Sequence, residues 1–289
     1  MKRIPVIGLF SGAGGLETGA TLAGADVRVS VEIDSIACQT LMLNASYHGS
    51  KVIQEDVALL NGKDLRSAAG LSRTDPCLVI GGPPCQPFSK AAYWTDPGED
   101  FRFRRARARG EKAVAPLPIT VPKPDQRRSL LDEFKRIVIE AKSNGFLFEN
   151  VPSITHPRNR TTFAQFVRSF EEAGYATTLI KANAAEYGVP QRRNRVFLLG
   201  LRTEKPKEAI LKILEVNNEI RCLNVTATAG EAIAQFRGRK FFEPEEVVRG
   251  RWAEQLREIP PGTNYKALTA WAGHPFEAET RFSPQRHYA

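Results

Sequence analysis

Ile4-Pro5-Val6-Ile7-Gly8-Leu9-Phe10-Ser11-Gly12-Ala13-Gly14-Gly15-Leu16 is the stretch on which the fold turns: an apolar run, a glycine-rich turn, then a helical pattern continuing through Ala23. Such a run, short and apolar throughout, reads as a strand buried on both faces. Glycine lets the backbone turn tightly and come close to a ligand, and the N–H groups that open the following helix face whatever is bound there. A second apolar run, residues 27–31, ends at Glu32. That places a carboxylate about 20 residues beyond Gly12, where it can accept hydrogen bonds from ribose hydroxyls. Turn and acid together point to a nucleoside-bearing ligand. The glycine spacing departs from the dinucleotide fingerprint G-x-G-x-x-G, and a lone turn of this kind can merely reverse the chain. Asp56 follows a third short run, residues 52–53, and is placed either to receive an adenine amino group or to cap a turn.

Further apolar runs recur at 77–80, 146–148, 176–180 and 196–199, separated by amphipathic stretches at 35–44, 129–142 and 161–173. In the stretch 129–142 the apolar residues Leu130, Leu131, Phe134, Ile137, Val138 and Ala141 recur at helical spacing. Alternating strands and helices predict an α/β fold, a doubly wound, Rossmann-like sheet with helices on both faces. Ligands of such sheets bind beyond the carboxyl ends of the strands, so the chemistry is expected in the loops that follow them. Between Lys90 and Gln126 the pattern lapses into an Arg-rich and then a Pro-rich segment, read as a long functional or disordered loop. After Gly200 the alternation fades again. Two domains are expected: 1–200, binding a cofactor and carrying the chemistry, and 201–289, a small and incomplete recognition region.

Hydrophobic residues at 42% and charged residues at 25% of the 289 describe a globular chain rather than a disordered one. Forty-one Lys and Arg against 32 Asp and Glu leave a net charge of +9, which suits a polyanionic partner or a plainly solvated basic surface. The excess is concentrated, with Arg102, Arg104, Arg105, Arg107, Arg109 and Lys112 close together. No apolar run approaches the ~20 residues that cross a bilayer, and the opening residues read as a strand, so no membrane association and a cytoplasmic location are expected. Cys38, Cys77, Cys85 and Cys222 lack paired spacing, and His48, His156, His274 and His287 are scattered. Neither a disulfide framework nor a metal site is expected.

One cysteine stands apart. The run 77–80 opens into Gly81-Gly82-Pro83-Pro84-Cys85-Gln86-Pro87-Phe88-Ser89, a loop stiffened by three prolines at the ligand-binding edge of the sheet. A lone cysteine is commonly a small core residue, but a core position is a poor match for a proline-flanked, glycine-rich loop. Cys85 is therefore read as a displayed thiolate nucleophile.

Phe10-Ser11-Gly12-Ala13-Gly14-Gly15 followed by Gly81 to Ser89 resembles the DNA (cytosine-5) methyltransferase family of bacterial type. Asp125 through Leu131 with Phe134, then Glu149-Asn150-Val151, then Gln191-Arg192-Arg193-Asn194-Arg195-Val196-Phe197 resemble later motifs of that family, in its order, over about 200 residues. The resemblance implies methyl transfer from S-adenosyl-L-methionine to carbon 5 of a cytosine flipped out of double-stranded DNA, in a restriction-modification setting. It implies Cys85, Glu149, Arg193 and Arg195 as catalytic. Cys85 would add to carbon 6, Glu149 would hold ring nitrogen 3, and the arginines would orient the base. It implies cofactor contacts from Phe10, Gly12, Gly14, Gly15, Leu16, Glu32, Ile33, Asp56, Pro84 and Leu130. DNA contacts would come from Gln86, Ser89 and Gln191, with Arg102, Arg104, Arg105, Arg107 and Arg109 meeting phosphates.

The family's ninth and tenth motifs are not visible in these 289 residues. Three readings follow: a split enzyme completed by a second polypeptide, a truncated and inactive product, or a fragment. Two other functions stay open, a DNA-binding remnant without turnover and an RNA cytosine-5 methyltransferase. A nicotinamide-dependent oxidoreductase explains neither the Cys85 loop nor Gln191 to Arg195.

Overall fold

A computed structural model describes residues 3–88, 98–117, 125–222 and 228–236, with 238, 253–254 and 259–260. Ser89 and nearly all of the expected recognition region beyond 236 lie outside the described residues. The apolar runs become β1 (Pro5–Leu9), β2 (Asp26–Glu32), β3 (Lys51–Gln54), β4 (Leu78–Gly81), β5 (Gly145–Asn150), β6 (Ala176–Asn183) and β7 (Asn194–Leu201). They form one sheet in the order β3-β2-β1-β4-β5-β7-β6. The first five are parallel, whereas β7 runs antiparallel to both β5 and β6. The short connection between β6 and β7 is too brief for a crossover, so an antiparallel pair is the pairing it permits. The sheet winds outward from β1 in both directions, which makes the carboxyl ends of β1 and β4 the topological switch point where such sheets bind ligands.

The helices between the strands are α1 (Gly15–Leu22), α2 (Ser35–Leu43), α3 (Ala45–His48), α4 (Gly62–Ala68), α5 (Glu99–Ala108), α6 (Leu130–Glu140) and α7 (Arg160–Glu172), and α8 (Pro206–Cys222) follows β7. Helical spacing in α6 buries Leu131, Phe134, Ile137 and Val138. Phe134 meets Phe146, Phe148 and Phe170 edge-on at centroid distances of 6.1, 5.5 and 6.4 Å. Each such pair contributes about 0.5–1.5 kcal/mol beyond the area it buries. A separate cluster of Val6, Val27 and Ile80, with Leu16 and Ala20 of α1 against it, forms the second core. Two cores, one under α6 and α7 and one under α1, are what a sheet covered on both faces requires.

The chain divides into two compact units, Met1–Ser89 with Ile119–Ala229 and Lys90–Pro118 with Gly230–Ala289. The unit carrying the sheet thus continues past the expected boundary at Gly200, because β7 pairs as far as Leu201 and α8 packs against β6 and β7. The Arg-rich segment, expected to be irregular, forms helix α5, with Arg102, Arg104, Arg105 and Arg107 in the helix and Arg109 as its C-cap. Glu, Arg and Ala are good helix formers, and neither glycine nor proline interrupts the sequence before Gly110. Within α5 the Arg107 guanidinium lies 5.7 Å from the Phe103 ring centre, and just past the helix Arg109 pairs with Glu111 at 3.4 Å. Among the described residues no helix is long and apolar enough to cross a membrane, and no cluster of three or more His, Cys, Asp or Glu could hold a metal.

Candidate active site

Beyond β1, Phe10 has a φ of 55°, a left-handed conformation that costs a non-glycine residue roughly 1–2 kcal/mol and persists only where the surroundings impose it. Gly12 and Gly14 adopt φ of 53° and 87° without that penalty. The turn they make sends the Gly12 N–H to Glu32 Oε2 at 2.7 Å. Glu32 Oε1 receives the N–H groups of Ile33 and Asp34, both at 2.9 Å. A carboxylate has about four acceptor positions, so this arrangement fixes Glu32 and leaves one for a ligand. Asp56 Oδ1 receives the Ala58 N–H at 2.9 Å and caps the turn Val57–Leu59.

Beyond β4, the second glycine of the Cys85 loop leaves room for an acid: a Cβ on Gly82 would lie 3.0 Å from Glu149 Oε2. Asn150, 1% exposed, donates through Nδ2 to the Pro83 carbonyl at 3.1 Å and receives the Val151 N–H at 2.9 Å. The Phe88 N–H closes the loop on the Cys85 carbonyl at 2.9 Å. Cys85 is half-buried, whereas Cys38 and Cys77 are fully buried. Burial pushes both of those thiols up, away from the reactive thiolate form.

Beyond β5, Glu149 Oε1 lies 2.6 Å from Arg195 Nε, with the two side chains 23% and 20% exposed. The register of the sheet brings this about, since antiparallel pairing sets Glu149 opposite Phe197 and Asn150 opposite Val196, one step from Arg195. Arg193 is exposed and anchored by its backbone, whose N–H donates to Asn183 Oδ1 at 3.1 Å. Arg127 grips Asp125 through Nε and Nη2 at 3.0 and 2.8 Å. That hydrogen bonding holds the Asp125 carboxyl below its usual range. Arg127 is held above its own by the same bond and by the charge of Asp125.

One cleft of about 370 Å³ joins these groups, within the roughly 300–1,000 Å³ usual for small-ligand sites. Of the residues expected at the cofactor, Phe10, Glu32, Ile33, Asp56, Pro84 and Leu130 line it. So do the four expected catalytic residues, Cys85, Glu149, Arg193 and Arg195, and Gln86, expected at DNA. Gly12, Gly14 and Gly15 shape the turn without lining the cleft, and Leu16 packs into the core under α1. Gln191 is exposed in the loop before β7. The five arginines of the α5 segment belong to the other compact unit. Sequence reasoning missed Val31, Glu55, Val57, Gly82 and Pro83, which also line the cleft. All five sit at or just past the carboxyl end of a strand, a position that could have singled them out.

This strand order, with β7 reversed and a nucleoside-sized cleft at the switch point, defines a Rossmann-like methyltransferase sheet. The chain belongs to the C-5 cytosine-specific DNA methylase family, which matches residues 4–101 and 122–264. It is 34% identical over 278 residues to type II methyltransferase M.SacI of Streptomyces achromogenes, covering 91% of this chain and 65% of that protein. It is also 34% identical to type II methyltransferase M.AquIA of a Picosynechococcus species, covering 69% of this chain and 73% of that one. A crystal structure described as a DNA modification methyltransferase encoded within an Escherichia coli prophage superimposes with a TM-score of 0.56 at 26% identity. That superposition covers 89% of this chain and 65% of the other.

Proposed function

We propose that this protein transfers a methyl group to carbon 5 of a cytosine flipped from duplex DNA, with Cys85 as covalent nucleophile and S-adenosyl-L-methionine as donor. One observation carries the reading: the thiol, the Glu149–Arg195 pair and the nucleoside-binding residues border a single cleft. The residues present fit the cofactor. Glu32 is fixed by three backbone N–H groups with an acceptor position left for a ribose hydroxyl, and Asp56, Ile33 and Val57 line the same cleft. Bound there, the donor supplies an electrophilic methyl group on a sulfonium.

Carbon 5 of cytosine is a weak nucleophile until the ring is activated. The Cys85 thiolate adds to carbon 6, forming a C–S bond and moving the electron pair of the 5,6 double bond toward carbon 5 and the pyrimidine ring. Glu149, oriented by Arg195, passes a proton from solvent to ring nitrogen 3 and so neutralises the negative charge that develops there. Carbon 5 would then take the methyl group, the donor's sulfur leaving as a neutral thioether. Loss of the carbon 5 proton to solvent water restores the double bond, returns the nitrogen 3 proton to Glu149 and expels the Cys85 thiolate. Arg193 supplies fixed donors at the mouth of the cleft for the base and its carbonyl. The arginines of the α5 segment add salt-dependent phosphate contacts, and the setting that fits is restriction-modification. Radiolabelled methyl transfer to matched duplex DNA and RNA is the test. Label in DNA cytosine that is lost in Cys85→Ser is expected; label in RNA alone, or undiminished turnover by Cys85→Ser, would overturn it.

A further inference from the structure

On its far side the Cys85 loop is clasped by Arg128, Ser153 and Asn159. The Arg128 Nη2 donates to the Pro87 carbonyl at 2.9 Å, and its guanidinium carbon stands 4.8 Å from the centre of the Phe88 ring. Through Nη1 the same guanidinium donates to Asn159 Oδ1 at 3.2 Å. Asn159 is 0% exposed and donates through Nδ2 to the Ser153 carbonyl at 2.8 Å, while the Ser153 hydroxyl donates to the Phe88 carbonyl. A closed circuit results. It runs from the loop, through the turn Gln126–Ser129 ahead of α6, to the turns Pro152–Thr155 and Pro157–Asn159 after β5, and back to the loop. Phe88 itself is fully buried, so the cation covers a ring face that cannot swing away.

We propose that Arg128 is a positioning residue for the Cys85 nucleophile, fixing Pro87 and Phe88 so that the thiol three residues upstream stays aligned with Glu149. The inference rests on the function proposed above. Asn150 holds the loop at Pro83, two residues before Cys85, and Arg128 holds it at Pro87, two residues after. The nucleophile is thereby pinned from both sides. Covalent attack depends on reacting atoms held at about 3–3.5 Å, and a displacement of about 1 Å costs on the order of 100-fold in rate. A planar guanidinium can bond Pro87 and Asn159 while lying on Phe88, whereas a lysine ammonium carries charge without that flat fork.

The test compares Arg128→Met and Arg128→Lys with the unaltered full chain in three measurements. These are amide hydrogen exchange across Gly81 to Phe88, S-adenosyl-L-methionine affinity, and single-turnover methyl transfer to duplex DNA. The Met variant is expected to exchange at Cys85 to Phe88 at least 10-fold faster and to transfer methyl at least 10-fold more slowly. Its cofactor affinity should stay within twofold, and the Lys variant should fall between. Unchanged loop exchange and turnover in Arg128→Met, or cofactor affinity lost in step with turnover, would overturn the proposal. Should Arg128→Met fail to fold, Arg128→Lys carries the test alone: an exchange rate and turnover equal to the unaltered chain's would count against positioning. An unaltered chain that methylates no DNA sinks the proposed function instead, while faster loop exchange in Arg128→Met still supports the clasp.

Discussion

Replacing Glu149 by Gln tests the chemistry with the smallest change of shape. The amide keeps the volume and one acceptor for Arg195 but removes the charge that faces Arg195 Nε at 2.6 Å. Two unit charges about 4 Å apart interact by about 4 kcal/mol at an effective dielectric of 20. Both side chains keep about a fifth of their exposure, and the desolvation each charge pays is recovered when the pair is lost. The net cost to folding is about 1–2 kcal/mol. For a unit of this size each kcal/mol lowers the melting temperature by about 2–4 °C, so a drop of roughly 2–8 °C is expected. Turnover should fall much further, by about 100- to 1,000-fold, because an amide cannot hand ring nitrogen 3 the proton that neutralises the negative charge developing on the ring. Single-turnover methyl transfer at saturating DNA and cofactor, beside a calorimetric melt, separates the two effects. A Glu149→Gln protein that transfers methyl within about threefold of the unaltered rate would refute the role given to this carboxylate.

Phe134→Ala empties the centre of the aromatic cluster and should cost about 3–5 kcal/mol in a urea titration; less than about 1 kcal/mol would mean the core collapses without it. Glu17 is 0% exposed, and burial pushes its carboxyl above the usual range. An acid whose folded-state pKa is raised contributes stability that is present below its unfolded value and is lost as pH rises through the folded one. Glu17→Gln should therefore raise the melting temperature at pH 8 and lose that advantage near pH 4; an equal effect at both would contradict the burial argument. Replacing Arg102, Arg104, Arg105, Arg107 and Arg109 together should weaken duplex binding and flatten its salt dependence, whereas unchanged affinity and slope would remove α5 from the DNA interface.

The strands and the Cys85 loop were legible in the sequence because buried parallel strands are short, apolar and bounded by turn residues. Glu32 and Asp56 could be found from strand ends alone. Helix α5 could not. It lacks an apolar face, so no period distinguished it from irregular chain, and propensity was the only signal left. The extension of the sheet unit through α8 was hidden for a different reason, since an edge helix packing on β6 carries a weaker apolar pattern than α6. Arg195 was expected at the base, and its pairing with Glu149 was not foreseen because it depends on the reversed β7, which apolar runs cannot reveal. Arg128 lay in a motif read for Leu130; its grip on Pro87 and Phe88 joins segments 41 residues apart in the chain.

Covalent catalysis requires a bond between Cys85 and the base. Duplex DNA with 5-fluorocytosine at the target position blocks loss of the carbon 5 substituent, so an enzyme working this way stays attached after methyl transfer. Incubation with S-adenosyl-L-methionine, denaturing electrophoresis and peptide mass spectrometry should find a cofactor-dependent adduct mapped to Cys85 and absent in Cys85→Ser. Methylation of ordinary cytosine with no such adduct, or an adduct on another residue, would contradict the account.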